Sequence, residues 1–210
     1  MLGIHGYWLF VAAGILLNLT PGQDTMFIIG QSLTGGRRSG VAAALGISAG
    51  SVVHTLAAAL GLSAILATSA LAFSIVKFAG AAYLIYLGAR LLLARGAGTG
   101  TAPAQAPASA EPSSAFRQGI LTNLLNPKVA LFFLAFLPQF IEPASGTKAL
   151  AFLALGATFI ATGTAWGMVL AIGAASLQSL LVRKPALRTT IDRVVGGIFL
   201  ALGARLAWSR

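Results

Sequence analysis

Apolar residues fall into six long runs along the chain, and the polar positions between and inside them set the elements it predicts. The first run, about Tyr7 to Gln31, is interrupted near its centre by Asn18-Leu19-Thr20-Pro21-Gly22-Gln23-Asp24. A short basic turn, Thr34 to Gly40, leads to the second run, about Val41 to Ala67. The third covers about Ile75 to Leu93. The fourth, about Arg117 to Ile141, is again interrupted, at Asn126-Pro127-Lys128. The fifth and sixth follow at about Ala149 to Ala175 and Ile191 to Trp208. Each is close to the roughly 20 residues that a bilayer-spanning helix needs. Residues 96–116 break the pattern, because that stretch is almost entirely Gly, Ala, Thr, Ser, Pro and Gln. It reads as a flexible linker that packs no core, with a random-coil reach on the order of 25 Å.

Composition agrees with this pattern. The 210 residues are 57% hydrophobic and 9% charged, against about 25% charged in a soluble domain. The fold class expected is therefore an all-α integral membrane protein with six transmembrane helices. The formal charge of +10 raises the question of nucleic acid, but the basic residues flank the apolar runs and form no stripe along one face. They read instead as topology signals facing anionic lipid. Placing the amino terminus outside collects Arg37, Arg38, Arg90, Arg95, Arg117, Arg183, Lys184, Arg188 and Arg193 on the inner side. Lys77, Lys148, Arg205 and Arg210 remain outside, so both termini are expected there. The first residues lack the basic region of a signal peptide, and the first run is expected to stay as a helix. Cysteine is absent, which excludes disulfides, thiolate metal ligands and a thiol relay.

The two halves resemble each other. Gly14-Ile15-Leu16-Leu17-Asn18-Leu19 before Pro21 reads like Gly119-Ile120-Leu121-Thr122-Asn123-Leu124 before Pro127, and Leu87-Gly88-Ala89-Arg90-Leu91 recurs as Leu202-Gly203-Ala204-Arg205-Leu206. Three helices per half is an odd number, so a second copy would enter the membrane upside down. This predicts a first repeat over residues 1–95, the linker over 96–116 and a second repeat over 117–210, with helices one and four broken at proline. Such paired breaks point to a substrate site at the midplane of a secondary transporter.

Asp24 is the only acid expected at membrane depth, where a carboxylate costs about 3 kcal/mol. It serves either as a structural partner for Lys128 and freed backbone donors, or as a group that exchanges a proton for a substrate ammonium. Lys128 is placed to meet a substrate carboxylate or to neutralise Asp24. Asn18, Asn123 and Asn126 either bind substrate or satisfy the carbonyls released by Pro21 and Pro127. Pro21, Gly22, Gln23 and Pro127 complete the substrate-binding candidates, and His54 joins Asp24 as a candidate for proton coupling, against a plain interior role. Trp166, beside Gly163 and Gly167, reads as packing. Gly46, Gly50, Gly163 and Gly167 read as points of close helix approach, within or between repeats or at a homodimer interface.

At these residues the chain resembles the lysine exporter and homoserine/threonine resistance family of bacterial amino-acid efflux proteins. The resemblance rests on Pro21-Gly22-Gln23-Asp24, on Gly80-Ala81-Ala82-Tyr83-Leu84-Ile85-Tyr86-Leu87-Gly88, and on Thr122-Asn123-Leu124-Leu125-Asn126-Pro127-Lys128. Gln23 departs from the family's usual second proline. What the resemblance implies is export of amino acids or related metabolites across the bacterial inner membrane, driven by protons, with no cofactor and no nucleic-acid partner. The alternative is a divalent-metal exporter of similar architecture. It has only Asp24 and His54 as intramembrane ligands, too few for a hard-cation site.

Overall fold

A computed structural model of the protein describes residues 2–62 and 111–183, with isolated helical positions within 71–93 and 193–204. The expected third and sixth helices lie largely outside the described residues. Among the described residues five α-helices are defined: α1 (Tyr7–Leu19), α2 (Gln23–Ala57), α3 (Pro112–Leu124), α4 (Pro127–Leu131) and α5 (Lys148–Arg183). A π-helical turn, Ala58–Leu62, prolongs α2, and α4 continues through a π turn, Phe132–Phe136, into a 3₁₀ turn, Leu137–Phe140. The one β-pairing among the described residues is a single bridge between Ile4 and Ile141. There the His5 N–H donates to the Phe140 carbonyl at 3.0 Å and the Glu142 N–H to that of Gly3 at 2.8 Å.

Although α2 is continuous by hydrogen bonding, it is two arms. Gly36 sits at φ 74° and ψ −179°, a conformation open to glycine and strained for other residues. The chain reverses there, and the basic turn expected over Thr34 to Gly40 contracts to this one residue. Positions equidistant from Gly36 then face each other. A side chain at Gly40 would overlap Ser32, and Ile28 and Ala44 both reach Gly167.

The arms order the remaining helices. Down α5, Phe159 meets Gly14, Gly163 meets Asn18, and Gly167 meets Ile28, so α1 and the first arm run in sequence along α5 and parallel to it. The second arm runs opposite, with Thr55 on Gly156, Ser48 bonded to Thr164, and Ala44 on Gly167. It runs parallel to α3, since Ala43 and Gly46 meet Gly119 and Gly50 meets Asn123. The glycines read as close-approach points therefore pack within one chain.

α3 begins at Pro112, inside the stretch expected to be linker to residue 116, and Ala115 is fully buried. Low complexity concealed a helix start: Glu111 takes the non-helical position before Pro112, whose fixed φ suits the first turn. Between α3 and the segment Pro127–Phe140 the axis bends by 49°. By length and composition alone Gln23–Leu62 and Lys148–Ala174 each suffice to cross a membrane, the first being divided by the reversal at Gly36, and the bent pair qualifies if taken as one span.

Two clusters fill the interior. On one side of the bends, phenylalanines 10, 132, 133, 136, 140 and 159 pack with Leu137, Phe152 and Leu155. Centroids of Phe132 and Phe159 lie 4.8 Å apart, those of Phe10 and Phe140 5.4 Å. On the other side small residues dominate: Ala43, Ala44, Ala115, Ala171 and Ala174 with Ile28, Ile29 and Leu170.

A methyl group at Gly46 would run into the Phe116 carbonyl, whereas one at Gly30 would meet nothing within 4 Å. Gly46→Ala is expected to destabilise the protein by about 1–3 kcal/mol, the usual cost of overpacking. Gly30→Ala should be neutral or stabilising by up to about 1 kcal/mol through helix propensity. Thermal unfolding of both variants in detergent checks the pair.

Candidate functional site

The site forms where two helices stop. α1 ends at Leu19 because Pro21 cannot donate a backbone hydrogen bond and Gly22 is extended. Its last carbonyls are left without intrahelical partners. The Lys128 ammonium supplies them, donating from Nζ to the Leu17 carbonyl at 2.6 Å and to that of Thr20 at 2.9 Å. A cation at a helix C-terminus also matches the negative end of the helix dipole. Gly22 lies against this lysine, where a Cβ would sit in ordinary contact 3.6 Å from Nζ.

Two residues after Gly22, Asp24 lies in the first turn of α2, at the positive end of that helix. Its Oδ2 accepts a hydrogen bond of 2.8 Å from the Asn123 side-chain amide. Its Oδ1 is buried and, among the described residues, makes no hydrogen bond of ordinary length. The Asn126 side-chain amide lies near enough to interact with the carboxylate as a second donor, and Lys128 and His54 act on it through charge.

The second break is built the same way. Asn123 stands in the last turn of α3, where its Oδ1 accepts from the Ser51 hydroxyl at 3.2 Å. Its backbone carbonyl accepts from the Asn126 N–H at 3.0 Å and from His54 Nε2 at 3.2 Å. His54 is held flat against Phe133, with ring centroids 5.6 Å apart. Asn126 then caps α4, its Oδ1 accepting from the Lys128 N–H at 3.0 Å, with Pro127 in the first helical position. Asn123 and Asn126 are 1% and 4% exposed, so these bonds are formed out of water.

Two clefts meet at Asp24. The larger runs between the arms of α2 and α5, with Ser48, Ser51, Asn123, Phe159, Thr164 and Trp166 on its wall. The smaller lies under the first break, between Asn18, Asn126 and Lys128.

Of the residues singled out in the sequence, Gly22, Asp24, His54, Asn123, Asn126 and Lys128 form this connected group. Asn18 borders both clefts but turns to α5, donating to the Thr162 hydroxyl at 3.4 Å. Pro21 and Gln23 are half-buried beside the break and line neither cleft, and Pro127 is exposed. Among the described residues no three His, Asp or Glu side chains come together as metal ligands.

Trp166 packs against the alanine-rich cluster, as read from the sequence, and it also lines the larger cleft, with its indole N–H buried and without an acceptor among the described residues. The helical spacing of Phe159, Gly163, Trp166, Gly167 and Leu170 puts these residues on one face of α5, the one signal in the sequence that would have exposed it.

The model of the LysE type translocator family matches residues 15–210. The chain belongs to that family. Family membership makes it a multi-pass membrane transporter and not an enzyme. It is similar to a leucine efflux protein of Salmonella typhimurium, 30% identical over 206 residues covering 98% of this chain and 96% of the relative. It is also similar to uncharacterised membrane proteins of Vibrio cholerae, 30% identical over 99% of this chain and 98% of the relative, and of Pseudomonas aeruginosa, 31% identical over 98% and 96%. No solved structure matches it significantly.

In this translocator the capping geometry predicts a stability phenotype. Lys128→Met removes the donor to two α1 carbonyls and is expected to destabilise the protein by about 1–3 kcal/mol, the cost of unsatisfied buried polar groups. Asn123→Leu should cost at least as much, because it strands an Asp24 oxygen and the Ser51 hydroxyl together. Unfolding midpoints without substrate measure both. A Lys128→Met protein as stable as the wild type would mean that the lysine is no cap.

Proposed function

We propose that the chain is a secondary transporter exporting amino acids or closely related metabolites from the cytoplasm by proton antiport, with alternating access around the paired breaks. The observation that carries this reading is the Asp24 carboxylate, which borders both clefts at the breaks and has one buried oxygen without a hydrogen bond of ordinary length among the described residues. A fully satisfied structural carboxylate would not leave such an acceptor unused. The leucine efflux relative supports an amino acid as substrate.

In this reading α1 and the first arm of α2 form one broken span. Each is about 20 Å long at 1.5 Å per residue, too short alone for a hydrocarbon core of about 30 Å. The segment Pro112–Phe140 is its counterpart, running the opposite way. Contacts around the breaks support an inverted repeat. Asn18 packs on Gly163 and bonds Thr162, and Asn123 packs on Gly50 and bonds Ser51. Four residues earlier in each packing helix, Gly14 meets Phe159 and Gly119 meets Gly46. The two repeats would be residues 1–95 and 117–210, six spans in all, in the inner membrane with both termini outside.

Exchange then has a concrete form. With the Gly36-Arg37-Arg38 turn inside, the phenylalanine cluster closes the outer side of the breaks and the alanine-rich cluster lies on the inner side. A substrate ammonium occupies the unused Asp24 oxygen; rocking of one repeat against the other exposes it outward. A proton arriving there takes its place and returns inward on the carboxyl, with His54 beside the same network.

Asp24→Asn keeps an acceptor for the Asn123 amide and deletes the charge. It is expected to fold like the wild type while pH-gradient-driven efflux of labelled amino acid from reconstituted vesicles drops at least about tenfold, the scale of one lost charge-assisted contact. Unchanged gradient-driven efflux would take Asp24 out of the mechanism.

A further inference from the structure

The larger cleft carries the chemistry of both ends of an amino acid, and one end is supplied by a residue outside the breaks. Among the described residues Asp24 is the one charged side chain on its wall. Lys128 borders the smaller cleft instead, with its ammonium held by the Leu17 and Thr20 carbonyls. A carboxylate entering the larger cleft must therefore be met by neutral donors. Ser48 donates to the Ala44 carbonyl at 3.0 Å and lies 2.6 Å from the Thr164 hydroxyl. The Ser51 hydroxyl is given to Asn123, and the Asn18 amide to Thr162. Thr25 adds a hydroxyl to the wall, and among the described residues the donor there that is buried without an acceptor is the indole N–H of Trp166. An indole nitrogen is a donor only, and a buried donor without a partner is uncommon in a finished interior. Gly163 and Gly167 flank it on α5 and keep that face clear of side chains.

Resting on the transport reading above, we infer that Trp166 is a substrate-contacting residue whose indole N–H receives the carboxylate of an α-amino acid while Asp24 Oδ1 receives its ammonium. The remaining wall then sets specificity. Ile28, Ile47, Ile160 and Leu170 line the same cleft, so a side chain lying there is desolvated with no partner for a charge. Amino acids with uncharged, aliphatic side chains are selected, and those with charged side chains are rejected by the cost of burying them unpaired.

The test uses a protein in which Trp8 and Trp208 are replaced by Phe, leaving Trp166 as the fluorophore, with leucine as probe and 3-methylbutylamine as the analogue that keeps the ammonium and has no acceptor in place of the carboxylate. Leucine is expected to shift the emission and the amine to leave it unchanged; equal shifts, or none with leucine, overturn the carboxylate contact. In vesicles, Trp166→Phe, which keeps the ring and deletes the donor, should raise KM for leucine about tenfold or more while the maximal rate stays within about twofold. An unchanged KM in a wild-type protein that exports leucine overturns the role of Trp166 and leaves the transport reading standing. A wild-type protein that exports no amino acid overturns the transport reading itself. Should Trp166→Phe fail to fold, the fluorescence comparison decides alone.

Discussion

Interrupting a helix inside an apolar bundle strands backbone carbonyls and amides where water is scarce, and every feature of this site follows from how those groups are satisfied. The molecule answers by reciprocity. Lys128, from the chain after the second break, caps the carbonyls at the first, and His54, from the chain after the first, caps the Asn123 carbonyl at the second. Asn123 extends from the second break to the carboxylate that opens α2. Neither break is self-sufficient, so the two must lie together for either to be stable.

That reciprocity leaves a definite remainder. Backbone ends, lysine, histidine and asparagines satisfy one another, while among the described residues one oxygen of Asp24 and the indole N–H of Trp166 on the larger cleft go without, as do both side-chain amide atoms of the buried Gln31 away from it. A binding site in a low-dielectric interior is recognised by what its own structure fails to use. The unused groups on the cleft are an acceptor with charge and a neutral donor, and its other wall is aliphatic. The division of labour is physical: the cation that looked free in the sequence is occupied by helix ends, and a residue that looked like packing has a donor to spare.

Packing around the breaks is unequal in kind. Large aromatic rings interlock on one side, whereas alanine and isoleucine pack on the other, and the cleft extends among the smaller residues. Rings in contact at 4.8 to 5.4 Å separate only as blocks, which suits a moving unit with discrete positions. Gly46, Gly50 and Gly119 bring the second arm of α2 against α3 so closely that these two elements would move as one.

Much of this was legible in the residues themselves. Apolar length gives membrane helices irrespective of what packs where, and a proline or glycine breaks a helix by its own covalent geometry, so the interruptions at Pro21 and Pro127 and the isolation of Asp24 could be read directly. Low complexity misled at Pro112 to Phe116, because a helix made of small residues looks like a linker until a partner buries Ala115. What only the tertiary structure decided was partnership. Whether Lys128 meets a substrate or a helix end, whether Asn123 faces Asp24, and whether Trp166 lines a cleft as well as packing all depend on residues more than 100 positions apart in some pairs, such as Lys128 with Leu17 at a separation of 111. Local sequence determines where a helix must stop; only the three-dimensional arrangement determines which side chain reaches the groups that stopping leaves behind.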